Sequence, residues 1–147
     1  DSAISELHCQ VALSVASDVR DKTEFTPLDL GIDFVKELTP YTYKWDKRSN
    51  YVDWDLNPDT DLDTVTHDGT HKEDWLDIGF KAQEVQALEI AAGYDKDNKT
   101  NLAVSLSGDG KLYGLQYEKF VPILVKAMQE QQTQIEEMKQ EIQELKG

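Results

Sequence analysis

The sequence predicts an α+β domain, mostly helical with short strands, that carries an acidic insertion arm and ends in a long coiled-coil helix. Three observations predict it. Apolar residues recur at alternating steps of three and four from Val121 to Leu145. Short runs of alternating apolar or aromatic and polar residues are bounded by turn formers. Between them, residues 46–77 are crowded with aspartate.

Along the chain, Ala3, Ile4 and Leu7 begin a mixed apolar segment, and Val11, Leu13 and Val15 alternate with strand period. Thr26 to Leu38 reads as a helix: Pro27 suits its first turn, and Leu30, Phe34 and Leu38 share one face. Thr39-Pro40 ends it, because the residue before proline is pushed out of helical geometry. Tyr41 to Trp45 alternates aromatic and polar residues and reads as a strand. The aspartate-rich stretch 46–77 has turn signals at Asn57-Pro58 and Asp68-Gly69, and predicts an irregular insertion or hairpin arm. Lys81 to Leu88 predicts a short helix with Val85, Leu88 and Ala92 on one face and Gly93 as its stop. Leu102–Leu106 and Lys111–Leu115, joined by Ser107-Gly108-Asp109-Gly110, read as strand, tight turn, strand.

From Tyr117 to Lys146 there is no glycine, and Pro122 falls in the opening turn. Val121, Met128, Ile135 and Ile142 take position a of a heptad; Leu124, Gln131, Met138 and Leu145 take position d. Most other positions are Glu, Gln or Lys. A stripe so narrow on a polar helix predicts self-association rather than packing on the chain's own domain. Gln131 in the seam would fix register at a cost in stability, and the stripe by itself does not select the number of strands.

The 147 residues fit one domain with a modest core. A net charge of −14 disfavours nucleic acid as a partner, since such a surface repels phosphate. No apolar run is long enough to span a bilayer, so no membrane partner is expected. Cys9 is the only cysteine, which rules out an intrachain disulfide. Asp1 in place of a start methionine predicts a piece of a longer polypeptide.

The chemistry concentrates in Ser17-Asp18-Val19-Arg20-Asp21-Lys22. A serine becomes a nucleophile when a base takes its proton, and a lysine whose pKa is lowered by burial can be that base. Taken alone, the same six residues also describe a solvated turn. The other constellations carry less. Gly69 between His67 and His71 argues for a loop over a metal-binding helix, and the alternating aspartates from Asp53 to Asp63 lack the glycine and terminal glutamate of a calcium loop. No metal and no cofactor is expected. His8 with Cys9 has no matching third group, and Trp45, Trp54 and Trp75 fit arm packing better than a sugar platform.

Three motifs in order resemble one family: Ser17 to Lys22, Gly79-Phe80-Lys81-Ala82-Gln83-Glu84-Val85, and Tyr117 through Gln132. The chain resembles, over about residues 12–147, the C-terminal intramolecular chaperone domain of phage tail spikes, tail fibres and neck appendages of the endosialidase type. The same self-cleaving module occurs in the myelin regulatory factor family. The resemblance implies a homotrimer that helps an upstream β-rich fibre of the same polypeptide trimerise and fold, and then cuts itself off. It implies cleavage at the Ala16–Ser17 bond, with Ser17 as nucleophile and Lys22 as general base. Asp18 and Arg20 match the motif and are expected to fix the turn. Residues 1–16 would then be the end of the upstream β-structure and 17–147 the chaperone domain, with 117–147 as its coiled-coil helix. The place of action would be a virion tail precursor assembled in the host cytoplasm, with the released domain absent from the mature virion. A non-enzymatic trimerisation module, with Ser17 and Lys22 as ordinary surface residues, is the alternative.

Overall fold

A computed structural model describes residues 8–147 apart from Asp109. Ala3, Ile4 and Leu7 lie outside the described residues. The element order is α1 (Ile32–Glu37), β1 (Tyr41–Tyr43), β2 (Asp77–Gly79), α2 (Ala82–Ala91), β3 (Val104–Leu106), β4 (Tyr113–Leu115) and α3 (Phe120–Lys146). β1 pairs antiparallel with β2, Tyr41 opposite Gly79, and β3 pairs antiparallel with β4, Val104 opposite Leu115. The architecture is α+β, with two small sheets and a long final helix.

Two expected elements differ. Val11, Leu13 and Val15 form no strand and stand 74–80% exposed: alternation gives a strand only beside a paired neighbour, and no described strand pairs with them. The first helix starts at Ile32, with Gly31 as its N-cap, rather than at Pro27. Pro27 and Leu28 instead lie beside Val121, Pro122 and Val125 of α3, lining a groove of about 540 Å³.

The core is formed by Leu30 and Phe34 from the α1 region, Val85 from α2, Ala103 and Val104 at β3, and Phe120 and Ile123 from α3. Leu30 and Phe34 share the face read from sequence, and Leu38 packs at its margin. On α2 the buried positions are Val85 and Glu89, one turn apart, whereas Ala92 is exposed. Only 1% of Glu89 is accessible. Its Oε1 accepts from the Ala103 and Val104 amides at 2.7 and 3.3 Å, and its Oε2 accepts from the Leu102 amide at 3.3 Å. A buried carboxylate is costly unless its oxygens find donors. Here the donors are three consecutive backbone N–H groups, so Glu89 fastens the entry of β3 to α2. Gly93, at φ +92°, stops α2: its N–H donates to the Ile90 carbonyl and the Tyr94 N–H to that of Glu89.

α3 presents two stripes of the same spacing. Phe120, Ile123 and Ala127 are buried, and Glu130, the next in that series, accepts at 2.7 Å from the Ile32 amide at the start of α1. Shifting the series by one residue gives Val121, Leu124, Met128 and Gln131, about 100° further round the helix. That second series is the heptad seam. It is exposed throughout, with Val121 at 60% and Met128 at 70%, and every residue from 131 to 147 is exposed. The helix thus packs on its own domain through one stripe over its first turns and leaves the seam uncovered. At 27 residues it is about 40 Å long.

The acidic stretch is the excursion between β1 and β2. Its aspartates cap turns: Asp53 accepts from the Asp55 and Leu56 amides, and Asp61 from the Asp63 amide. Tyr51 gathers the arm, donating to Asp46 at 2.7 Å and accepting from the Gly69 and His71 amides. The His71 ring packs edge-on against it at 4.6 Å. Arg48–Asp63 at 2.7 Å is an ion pair within the arm, and Lys111–Asp61 at 2.9 Å ties the arm to the β3–β4 hairpin.

Candidate functional site

Asp18, Val19 and Arg20 decide the local fold at the dyad. Residues Val19–Asp21 form one turn of 3₁₀ helix. Asp18 caps it, its Oδ1 accepting from the Arg20 amide at 2.9 Å. The Arg20 guanidinium folds back on the same carboxylate, Nε to Oδ1 at 3.0 Å and Nη2 to Oδ2 at 2.6 Å, a two-pronged geometry. The Asp21 amide donates to the Asp18 carbonyl, and the Lys22 amide to that of Val19, both at 3.2 Å. This turn reverses the chain. Lys22 Nζ therefore reaches Ser17 Oγ at 2.5 Å, although five positions separate the two residues.

The geometry places nucleophile and base candidates within proton-transfer distance. Both side chains, and Ala16 before them, are exposed in the single chain. The bond has the amine as donor. Proton abstraction needs the reverse, a neutral amine accepting from the hydroxyl across the same separation.

The Asp18 carboxyl is held below the usual carboxylate range, first by the Arg20 side chain and then by the Arg20 amide, and Arg20 is raised in turn by Asp18. A depressed carboxylate contributes to the folded turn above its unfolded pKa, and that contribution disappears as pH falls through the lower folded value. The clasp is therefore expected to open only below the ordinary carboxylate value of roughly 3.9. Arg20→Ala should move the Asp18 midpoint up towards that value in a carboxyl-carbon NMR titration. An unmoved midpoint would contradict the clasp.

The other two motifs meet at the margin of the core, where Tyr117 is half exposed. The Tyr117 hydroxyl accepts from the Phe80 amide at 2.9 Å, and Phe80, Tyr117 and Phe120 form a ring cluster with centroids 5.1–6.0 Å apart. Gly79 is needed there because a Cβ would overlap the Tyr117 hydroxyl. Gly79→Ala is expected to lower stability by about 1–3 kcal/mol through overpacking. Combined with Tyr117→Phe, it should cost less than the sum of the two single changes in urea melts; strict additivity would argue against the contact.

Lys22 and Pro27 are five residues apart, and Pro27 lines the same groove as Val121, the first residue of the exposed stripe. Full extension of that link spans at most about 18 Å. Ser17 and Lys22 are thus tethered close to the exposed stripe of α3. Glu89, Glu130 and the Phe120/Ile123/Ala127 stripe are positions the sequence reading passed over. The stripe had a signal, the same three-four spacing one residue earlier, whereas the two glutamates had none.

A family model described as chaperone of endosialidase matches residues 17–94, a little over half of the chain. The match takes in the dyad turn and the Gly79–Val85 motif and stops before Tyr117. No curated protein and no solved structure matches the chain.

Proposed function

Because the chain belongs to the chaperone-of-endosialidase family, we propose that it is an intramolecular chaperone for an upstream phage tail spike or fibre and that it releases itself by a single cut at Ala16–Ser17. The observation that carries the cut is the 2.5 Å separation of Lys22 Nζ and Ser17 Oγ. Neutral Lys22 takes the Ser17 hydroxyl proton while Oγ attacks the Ala16 carbonyl carbon. The Ala16–Ser17 C–N bond breaks, the Ser17 nitrogen leaves as an amine with that proton, and Ala16 becomes an ester on Oγ. Water then hydrolyses the ester. Holding the nucleophile beside its own preceding carbonyl replaces a bimolecular encounter with a positioned one, worth several kcal/mol.

A lysine near its ordinary pKa of roughly 10.4 is charged at neutral pH and cannot act as base. Burial lowers that value. The exposed seam and the short tether from Lys22 to Pro27 support self-association through α3; the family resemblance makes that assembly a homotrimer, in which neighbouring copies cover the dyad. Assembly then licenses the cut, and the cut fibre is trapped behind a kinetic barrier once its folding aid has gone. The setting is tail assembly in the host cytoplasm, and the freed domain is absent from the mature virion.

The chain bearing an upstream tag is expected to run as two pieces on a denaturing gel. Ser17→Ala and Lys22→Ala should each leave it whole, and hydroxylamine should accelerate the cut of the unmutated chain by trapping the ester. An intact unmutated chain would sink the protease reading and leave a non-enzymatic trimerisation module.

A further inference from the structure

A cleft of about 560 Å³ opens between the two sheets. That volume lies in the range of about 300–1,000 Å³ that binding sites occupy. One wall is Tyr41, Thr42 and Tyr43 of β1, and the other is Tyr113, Gly114 and Leu115 of β4. Successive residues of a strand face opposite ways. A wall made of consecutive residues is therefore a strand edge, not a sheet face. Both sheets have only two strands, so β1 and β4 each keep one edge without a strand partner. In the β3–β4 ladder, Ser107 donates to the Leu112 carbonyl and Gln116 to the Ala103 carbonyl. Inward bonding alternates along an antiparallel pair. Ser105 with Gly114 therefore also bonds inward, and Tyr113 and Leu115 turn their N–H and C=O groups to the open edge.

We infer that residues 11–15 of a second copy enter this cleft as an added strand, bridging β1 and β4. Val11, Leu13 and Val15 alternate with strand period, are 74–80% exposed, and have no strand partner among the described residues of their own chain. They lie in residues 7–17, the longest run of this −14 chain without Asp, Glu, Lys or Arg. The cleft suits an uncharged strand. Its cations are already paired, Arg48 with Asp63, Lys81 with Glu84 and Lys111 with Asp61, and the Phe80 ring adds apolar lining. Main-chain bonds to two edges give affinity without demanding particular side chains. This rests on the self-association proposed above. It also adds a consequence: residues 11–15 belong to the upstream piece after the cut, so the severed end stays bound to the chaperone until the strand is withdrawn.

The test is hydrogen exchange on the full-length Ser17→Ala chain, dilute and concentrated, with sedimentation run in parallel. On assembly, the amides of residues 11–15, Tyr113 and Leu115 should slow by about 100-fold, as expected for strand pairing. Leu13→Pro, which removes a backbone N–H and fixes φ, should abolish that slowing without dissolving the assembly. An assembled chain whose amides exchange as fast as in the dilute chain overturns the docking and leaves self-association intact. Full protection in a dilute monomer overturns the second copy as occupant. A chain that stays monomeric at every concentration overturns both.

Discussion

Glu89→Leu is expected to destabilise the domain by about 4 kcal/mol, since three backbone N–H groups would lose their acceptor at a buried site. Glu89 is the one buried charged residue among those described, and its two oxygens serve the amides of Leu102, Ala103 and Val104. Glu89→Gln keeps one acceptor and turns an amide donor towards the remaining N–H, so about half that loss is expected. Urea melts of both variants measure the effect. A loss under about 1 kcal/mol for Glu89→Leu would mean that those amides are satisfied another way. The consequence for function is indirect but large: a loosened β3 entry disturbs the floor on which Phe120 and Ile123 seat α3.

Met128→Asp combined with Ile135→Asp is expected to leave the single chain folded yet unable to associate. Both side chains are exposed on the single chain, so carboxylates there cost its own core nothing. In a closed seam, charges at these a positions would face copies of themselves in a desolvated core. Sedimentation should show a monomer that still melts cooperatively, with a midpoint independent of concentration, and self-cleavage should slow by about 100-fold as the dyad loses its positioning and cover. Ile123→Asp is the control on the other stripe; it should unfold the domain, because Ile123 is fully buried. Equal behaviour of the two sets would contradict the division of α3 into an inner and an outer stripe.

Periodicity made much of this legible. The final helix, the Val104–Leu106 and Tyr113–Leu115 hairpin, the Gly93 stop and the Leu30/Phe34 face all follow from local spacing and turn chemistry. The Ser17–Lys22 turn was readable as a motif, whereas its closure depends on Asp18 and Arg20 clasping each other, a matter of side-chain geometry. Non-local contacts were hidden. Glu89 on the buried face of α2 becomes intelligible only once residues 102–104 arrive beside it, and Glu130 only once the start of α1 meets α3. The strand read at Val11–Val15 is absent for the complementary reason: alternation suits a strand, but a strand forms only when paired, and no described strand of the same chain pairs with these residues.

Assembly is expected to license the cut in the chain's own backbone. The direct measurement is the first-order rate of Ala16–Ser17 cleavage in freshly refolded, upstream-tagged chain, followed across the concentration range in which sedimentation shows monomers associating. A rate per chain that climbs with the assembled fraction, and vanishes in Ser17→Ala, is the predicted result. A rate that is the same at every dilution would contradict it.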